Sequence, residues 1–145
     1  MLSASRVAVL EGMREDICRS SVDLRDPKLM LYLKAQMQGE EDEHLHAIFL
    51  DNRQRYIRDE RVASGDWAHV GIRLRTVIRR AMDLQAAKVV LCHNHPSGDP
   101  TPSRADIEFT CAVQKVARPL GIEVLDHFIV AGSSVFSMRS AGLVP

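Results

Sequence analysis

The chain has 145 residues, with 19 Lys and Arg against 19 Asp and Glu, and 46% of its residues are hydrophobic. This length and composition predict one globular domain and argue against intrinsic disorder. The balanced charge argues against a protein whose main role is to bind phosphates or an anionic membrane. No apolar run is long enough to span a bilayer, and the first ten residues make a poor signal peptide.

Cysteine usage indicates the redox environment. Cys18, Cys92 and Cys111 are an odd number of cysteines, and none of them belongs to a CxxC pair. We therefore expect no disulfide framework and a reducing, cytoplasmic location. Cys92 is interpreted as a core residue rather than a metal ligand.

The N-terminal part of the chain is predicted to be helical. We place a helical segment at residues 1–38 and the main domain at residues 39–145. The Asp-Pro pair at residues 26–27 predicts a break within the helical segment. The alternate leucines of residues 29–33 fit either a strand or a second short helix, and their spacing does not decide between the two.

Two strands are predicted next. Residues 44–50 alternate in a way that predicts a strand with two distinct faces. His44 and His46 share one face, and we interpret them as solvent-exposed because a His-x-His pair alone is a common pattern. An antiparallel partner is expected to begin at residue 56, with a turn at residues 64–66.

The second half of the chain is predicted to alternate helices and strands. Apolar residues at helical spacing predict a helix over residues 72–86, whose opposite face carries Arg73 and other charged residues. The apolar run at residues 88–92 predicts a strand buried on both faces. The remaining elements are a helix at 103–117 and strands at 122–131 and 135–138. This order predicts an α/β layered domain.

The segment most informative about chemistry is the stretch rich in Pro and Gly at residues 93–106. His93 and His95 follow the buried strand at i, i+2 spacing, which places both imidazoles on one face with their Cβ atoms about 6–7 Å apart. Asp106 lies in the first turn of the next helix, which the loop can return to the strand end. Two histidines and one carboxylate leave a position for water, as in catalytic rather than structural zinc sites. The alternative is that Ser103 and Asp106 form only a helix-capping box.

This stretch carries a family resemblance. His-x-His, seven residues, Ser, two residues and Asp resemble the JAMM signature of MPN-type metalloproteases. The longer string from His93 to Ser103 is similar to the bacterial RadC family, with residues 49–51 and 124–130 as further matches. The resemblance covers residues 40–143. It implies a single three-layer α/β domain of the JAMM/MPN, cytidine-deaminase-like type, with a mixed β-sheet flanked by helices.

The resemblance also implies a set of site residues. One zinc ion would be held by His93, His95 and Asp106, and an upstream glutamate would act as general base. The hydroxyl of Ser103 would donate a hydrogen bond to the oxyanion of the tetrahedral intermediate. The Asp-His pair at residues 126–127 is interpreted as structural, with a role behind the metal ligands as the alternative.

Glu43 is our choice for the general base. It shares the alternation phase of Leu45, so its carboxylate would face inward, where partial desolvation would raise its pKa toward a useful value. The alternatives are that it belongs only to an acidic loop, or that its neighbours Glu40 or Glu41 are the base.

The implied reaction is hydrolysis of an amide bond, in a peptide or isopeptide substrate, by metal-activated water. The alternative is a DNA-associated protein or a metal-dependent nuclease linked to DNA repair. A non-catalytic interaction module is a third reading, disfavoured because all metal ligands are present. The balanced total charge hides an acidic run at residues 40–43 and eight Arg against three acidic residues at 53–80. A nucleic-acid partner therefore stays open although it is not favoured.

Overall fold

The structure is a computed structural model that describes residues 3–64 and 70–144. The turn predicted at residues 64–66 lies largely outside these residues. The helices are α1 (Ala4–Cys18), α2 (Pro27–Met37), α3 (Val70–Asp83) and α4 (Arg104–Ala117). The strands are β1 (His44–Leu50), β2 (Tyr56–Ser64), β3 (Lys88–Asn94), β4 (Glu123–Ala131) and β5 (Ser134–Ser137).

The strands form one mixed sheet in the order β2-β1-β3-β4-β5. β3 and β4 are parallel and are connected through α4, whereas the other neighbouring pairs are antiparallel. β3 lies at the centre and is buried on both faces, as its apolar run predicts. The predicted α/β class with a mixed sheet is therefore confirmed.

Helices cover both faces of the sheet, which gives the predicted three layers. On one face, Leu29 and Leu33 of α2 belong to a core cluster that includes Val90 and Phe128 of the sheet. On the other face, α3 and α4 pack against the alternate side chains of the same strands. Helices α1 and α2 thus form one of the layers, while the division between residues 38 and 39 stays a prediction.

The leucines of residues 29–33 belong to a helix. Asp26 caps α2 by accepting a hydrogen bond from the backbone N–H of Lys28, and Pro27 occupies the first turn. Leu29 and Leu33, four residues apart, are fully buried, whereas Leu31 is 55% exposed. A strand would place all three on one face, so the burial pattern decides the open alternative in favour of a helix.

The interpretation of His44 and His46 as solvent-exposed is wrong. They are only 8% and 7% exposed. The Nε2 atom of His46 lies 2.6 Å from a carboxylate oxygen of Asp59 on β2, and the ring of His44 contacts Glu40 at 3.0 Å. The cause at His46 is that α1 and α2 cover this face of β1, where Arg14 and Tyr32 also contact Asp59. His44 instead has its partner in the segment between α2 and β1.

The prediction that Arg73 lies on the face of α3 opposite its apolar residues is wrong, because Arg73 is 4% exposed. It precedes Val77 and Ala81, both fully buried, at intervals of four residues, so the three side chains share one face of the helix. Within residues 3–64 and 70–144, no helix has the length and apolar character needed to cross a bilayer.

Candidate metal centre

Three side chains converge at the end of β3. The ligand atoms of His93, His95 and Asp106 all lie within 4.8 Å of one another. The Nε2 atom of His93 is 2.8 Å from Nε2 of His95 and 3.3 Å from an Asp106 carboxylate oxygen. Ligands about 2.0–2.1 Å from a tetrahedral ion stand about 3.3 Å apart, so the three atoms fit one ion after small adjustments. The structure brings together the three residues predicted as ligands, and their binding of zinc stays a prediction.

The start of α4 fixes the position of Asp106. Ser103 is the N-cap, and its Oγ accepts a hydrogen bond from the backbone N–H of Asp106 at 3.1 Å. In return, the backbone N–H of Ser103 donates to the Asp106 carboxylate at 2.7 Å. This capping box confirms the structural role considered for the pair. It also orients the carboxylate towards the histidines, so capping and metal binding are compatible.

A chain of hydrogen bonds behind His93 fixes which of its nitrogens carries the proton. Thr110 Oγ1 donates to the backbone carbonyl of Asp106 at 2.8 Å, so it accepts from Nδ1–H of His127 at 2.6 Å. Complete burial lowers the pKa of His127 well below its usual value, so its ring is neutral and Nε2 is an acceptor. Nδ1–H of His93 therefore donates to that Nε2 at 2.7 Å, and the lone pair of His93 Nε2 faces the site.

The loop orients His95 in the same way. Nδ1 of His95 lies 2.7 Å from the backbone carbonyl of Asp99, which makes it the protonated nitrogen. The loop can turn back to make this bond because Gly98 adopts a positive φ of 88°. In the neutral ring, Nε2 of His95 therefore also presents its lone pair to the convergence point.

The site favours a positive charge. Burial by itself raises the pKa of Asp106, but its contacts with His93 and His95 outweigh burial and hold the pKa well below the usual range. The hydrogen bond that a protonated Nε2 of His95 donates to the Asp106 carboxylate, at 3.1 Å, in turn raises the pKa of His95. Both directions show that a cation is stabilised where the three ligand atoms meet, which is the charge environment that a divalent metal needs.

Glu43 lies beside these ligands. It lines a polar cavity of about 420 Å³ together with His95, Ser103 and Asp106. Its side chain is half-buried. β1 pairs with β3 so that Leu45 faces His93, and the same register carried two residues further sets Glu43 opposite His95. The structure thus brings the predicted base and Ser103 to the same cavity as two of the predicted ligands, His95 and Asp106.

The other acidic candidates lie elsewhere. Glu40 contacts His44 at 3.0 Å and Arg61 at 2.8 Å, on the opposite side of β1 from the ligands. Glu41 is exposed and does not line the cavity. Their surroundings give neither of them the position that Glu43 has.

Sequence reasoning underestimated His127 and missed Thr110. Asp126 is structural as expected, since its carboxylate accepts hydrogen bonds from Ser137 and from the backbone N–H of Arg139. His127 instead contacts His93. The available signal was a histidine directly before the apolar run of residues 128–130 in a predicted strand. Cys92 packs in the core, as predicted.

Comparison with known proteins agrees with the geometry. The family model of RadC-like JAB domains matches residues 24–143. A UPF0758 protein of Rhodobacter capsulatus is 36% identical over 142 residues, covering 94% of this chain and 66% of the relative. A UPF0758 protein of Ruegeria pomeroyi is 36% identical over 140 residues, covering 97% of this chain and 60% of the relative. The chain thus spans slightly less than two thirds of the length of these curated relatives. It belongs to the RadC-like JAB domain family, whose fold is of the JAMM/MPN type.

Proposed function

We propose that this chain is a zinc-dependent hydrolase that cleaves an amide bond of a peptide or protein substrate. The observation that carries the proposal is the convergence of two histidine Nε2 atoms and one carboxylate beside a cavity that Glu43 lines with His95 and Asp106. Three protein ligands leave a coordination position for water or substrate, which is typical of catalytic zinc sites.

The chain's own residues then have distinct tasks. Zinc, when bound, supplies Lewis acidity that makes an attacking water more acidic and polarises the substrate carbonyl. Glu43 takes the proton of that water and passes it to the leaving amine. Ser103 Oγ accepts from the Asp106 N–H with a lone pair, so its hydroxyl proton can donate to the carbonyl oxygen as that oxygen gains negative charge.

The alternative of a DNA-associated nuclease receives less support. Of the arginines in the basic segment at residues 53–80, several form ion pairs with carboxylates, which reduces the positive charge offered to phosphates. The pairs are Arg55 with Asp51, Arg58 with Glu60, Arg61 with Glu40, and Arg80 with Glu60 and Asp83. Nucleic acid is therefore the competing substrate class.

The proposed setting is a reducing cytoplasm. Cys18 is exposed, Cys111 is half-buried and Cys92 is fully buried, and all three are free thiols. An exposed thiol without a disulfide partner is compatible with a reducing compartment.

Metal content tests the ligand set. Purified wild-type protein is expected to contain about one zinc per chain by elemental analysis. Asp106→Asn is expected to lose it, because an amide replaces an anionic ligand. Glu108→Gln is the matched control, since Glu108 lies on the same helix but is exposed and pairs with Arg104. Retention of full zinc occupancy in Asp106→Asn would refute the proposed ligand set.

A cleavage panel tests the reaction. Wild-type protein is assayed against peptides, isopeptide-linked peptides and single- and double-stranded DNA, with and without a chelator. We expect peptide or isopeptide cleavage that the chelator abolishes. Glu43→Gln is expected to keep the metal and lose turnover, whereas the neighbouring Glu41→Gln keeps both. Chelator-sensitive cleavage of DNA alone would establish the competing function.

A further inference from the structure

Asn94 lies between the two candidate histidine ligands in the sequence and has no role in the proposed catalysis. It is the last residue of β3 and is only 4% exposed. Because alternate residues of a strand point to opposite faces, its side chain does not share the face of His93. A buried amide at this position needs partners for both its donor and its acceptor.

The side-chain amide of Asn94 bridges the residues on either side of Glu43. Its Oδ1 accepts a hydrogen bond from the backbone N–H of His44 at 2.7 Å. Its Nδ2 donates to the backbone carbonyl of Asp42 at 2.9 Å. The two contacts assign the amide orientation without ambiguity, because each atom meets a group of the opposite kind.

This bridge extends the pairing of β1 with β3 beyond the point where backbone pairing ends. The last paired residues of the two strands are Leu45 and His93. On its other side β3 stays paired with β4 beyond this point, since the backbone N–H of His95 donates to the carbonyl of Val130 at 2.8 Å. The Asn94 amide thus takes the place of a peptide group and keeps the backbone around Glu43 attached to the strand that carries the ligands.

We propose that Asn94 is a positioning residue that holds the backbone of Glu43 in place relative to the metal ligands. The inference rests on the proposed role of Glu43 as general base. Only an amide of this length supplies one donor and one acceptor at the required separation. An ionised aspartate has the same shape but only accepts, so it would set an oxygen against the carbonyl of Asp42.

The first test follows backbone amides by NMR in the metal-free protein. In Asn94→Ala we expect hydrogen exchange at the His44 amide to accelerate about tenfold or more, with the fold intact. Asn94→Asp keeps the acceptor, so His44 stays protected. Asn52→Asp is the matched control, because Asn52 is exposed in the turn between β1 and β2. Unchanged His44 exchange in Asn94→Ala overturns the proposal.

The second test measures position, with Co²⁺ alone as the probe. Paramagnetic shifts of the Glu43 amide report its placement relative to the ion. We expect both Asn94 variants to change the shift at Glu43 while amides of α4 keep their wild-type shifts, and Asn52→Asp to change neither. A wild-type shift at Glu43 in Asn94→Ala overturns the proposal, as does an equal disturbance of α4.

The third test measures the consequence on the panel peptide that wild-type protein cleaves. Asn94→Ala is expected to lower kcat about 10²-fold with little change in zinc occupancy. In the Glu43→Gln background it should change kcat by no more than about twofold, because it acts through Glu43. Independent, multiplicative effects overturn the positioning role. If wild-type protein cleaves no peptide, the proposed function fails, while the two NMR tests still decide whether Asn94 holds Glu43.

Discussion

His127 controls the protonation of His93 from outside the candidate metal site. Its neutral ring accepts from one nitrogen of His93 and donates to Thr110, so the other nitrogen of His93 keeps its lone pair towards the ligands. Partners of this kind orient metal-binding histidines and typically change metal affinity about 10–100-fold when removed. His127 thus affects the metal without being a ligand.

We predict that His127→Phe weakens zinc binding about 10–100-fold, because it keeps a ring in the core but removes the acceptor for His93. Thr110→Val removes the hydroxyl that accepts from His127 and should also weaken zinc binding, but by less. The measurement is competition between apoprotein and a fluorescent zinc chelator. Ser137→Ala is the control, since Ser137 contacts the structural Asp126 instead. Wild-type zinc affinity in His127→Phe would contradict the predicted role of His127.

At the scale of secondary-structure elements, the Asp59 carboxylate joins both N-terminal helices to the sheet. The side chain of Asp59 is fully buried on β2. It accepts from Arg14 of α1 at 3.1 Å, from the hydroxyl of Tyr32 of α2, and from His46 of β1 at 2.6 Å. A buried carboxylate is stable only when it is paired in this way, so the helix layer is held partly by charge as well as by apolar contacts.

The ionisation of Asp59 predicts a pH-dependent stability. Burial by itself raises the pKa of Asp59, but hydrogen bonds from His46 and Tyr32 outweigh it and lower the pKa from 3.8 to about 2. A folded-state pKa below the unfolded value stabilises the fold above about pH 4. The contribution, about 2 kcal/mol, is lost as the pH falls from about 4 to about 2.

We predict that Asp59→Asn lowers the free energy of unfolding by about 3 kcal/mol at pH 7, because it leaves buried partners without their anion. The difference from wild type should shrink as the pH falls below 4, where wild-type Asp59 itself loses its charge. Urea unfolding at several pH values measures both effects. A difference that stays constant between pH 7 and pH 2.5 argues against an ionised Asp59.

Two leucines of α2 test its packing. We predict that Leu33→Ala costs about 3 kcal/mol of unfolding free energy, since Leu33 is fully buried against the sheet. Leu31→Ala on the same helix should stay within about 0.5 kcal/mol, because Leu31 is largely exposed. Thermal or urea unfolding compares the two variants. Equal losses would mean that α2 does not present the face described.

Local sequence patterns predicted the strands and the ligand-bearing segment better than they predicted which side chains contact one another. The bounds of β1 and the ligand-bearing segment at 93–106 follow from alternation and residue spacing, which are local properties. The burial of His46 depends on Asp59, thirteen residues later on the neighbouring strand, and on a helix that precedes both. No local pattern contains that pairing. The apolar residues on the same face as His46 were the one available sign that the face is covered.

At the scale of the whole molecule, the three layers depend on one another. The sheet face under α1 and α2 carries Ile48, Leu50, Val90 and Phe128, all buried. Removing the two helices would expose these side chains to water as one apolar patch, which favours aggregation. The helices therefore complete the core of the domain.

We predict that a chain of residues 39–145 alone does not fold to a stable monomer. It should be recovered as aggregate or bind a hydrophobic dye, whereas the intact chain prepared in parallel stays monomeric and unfolds in one cooperative step. Sedimentation and dye binding make the comparison. A well-folded monomer of residues 39–145 would show that the boundary at residue 38 separates independent units.

The fold class could be predicted from the order of elements, and the candidate ligands from their spacing. The arrangement behind the ligands could not. Thr110 and His127 are ordinary core residues of a helix and a strand, and only the parallel pairing of β3 with β4 places His127 next to His93. Such contacts arise from tertiary structure, so a chemical motif alone leaves them undetermined.

The crossover of β3, α4 and β4 carries every candidate ligand together with Thr110 and His127, while Glu43 lies outside it, directly before β1. An ion held there would join the end of β3 to the first turn of α4, and its binding free energy would add to the local stability of this unit. The most slowly opening part of the molecule would then be its metal-binding unit, to which Glu43 does not belong. Loss of the ion would accordingly lower the stability of the centre of the sheet.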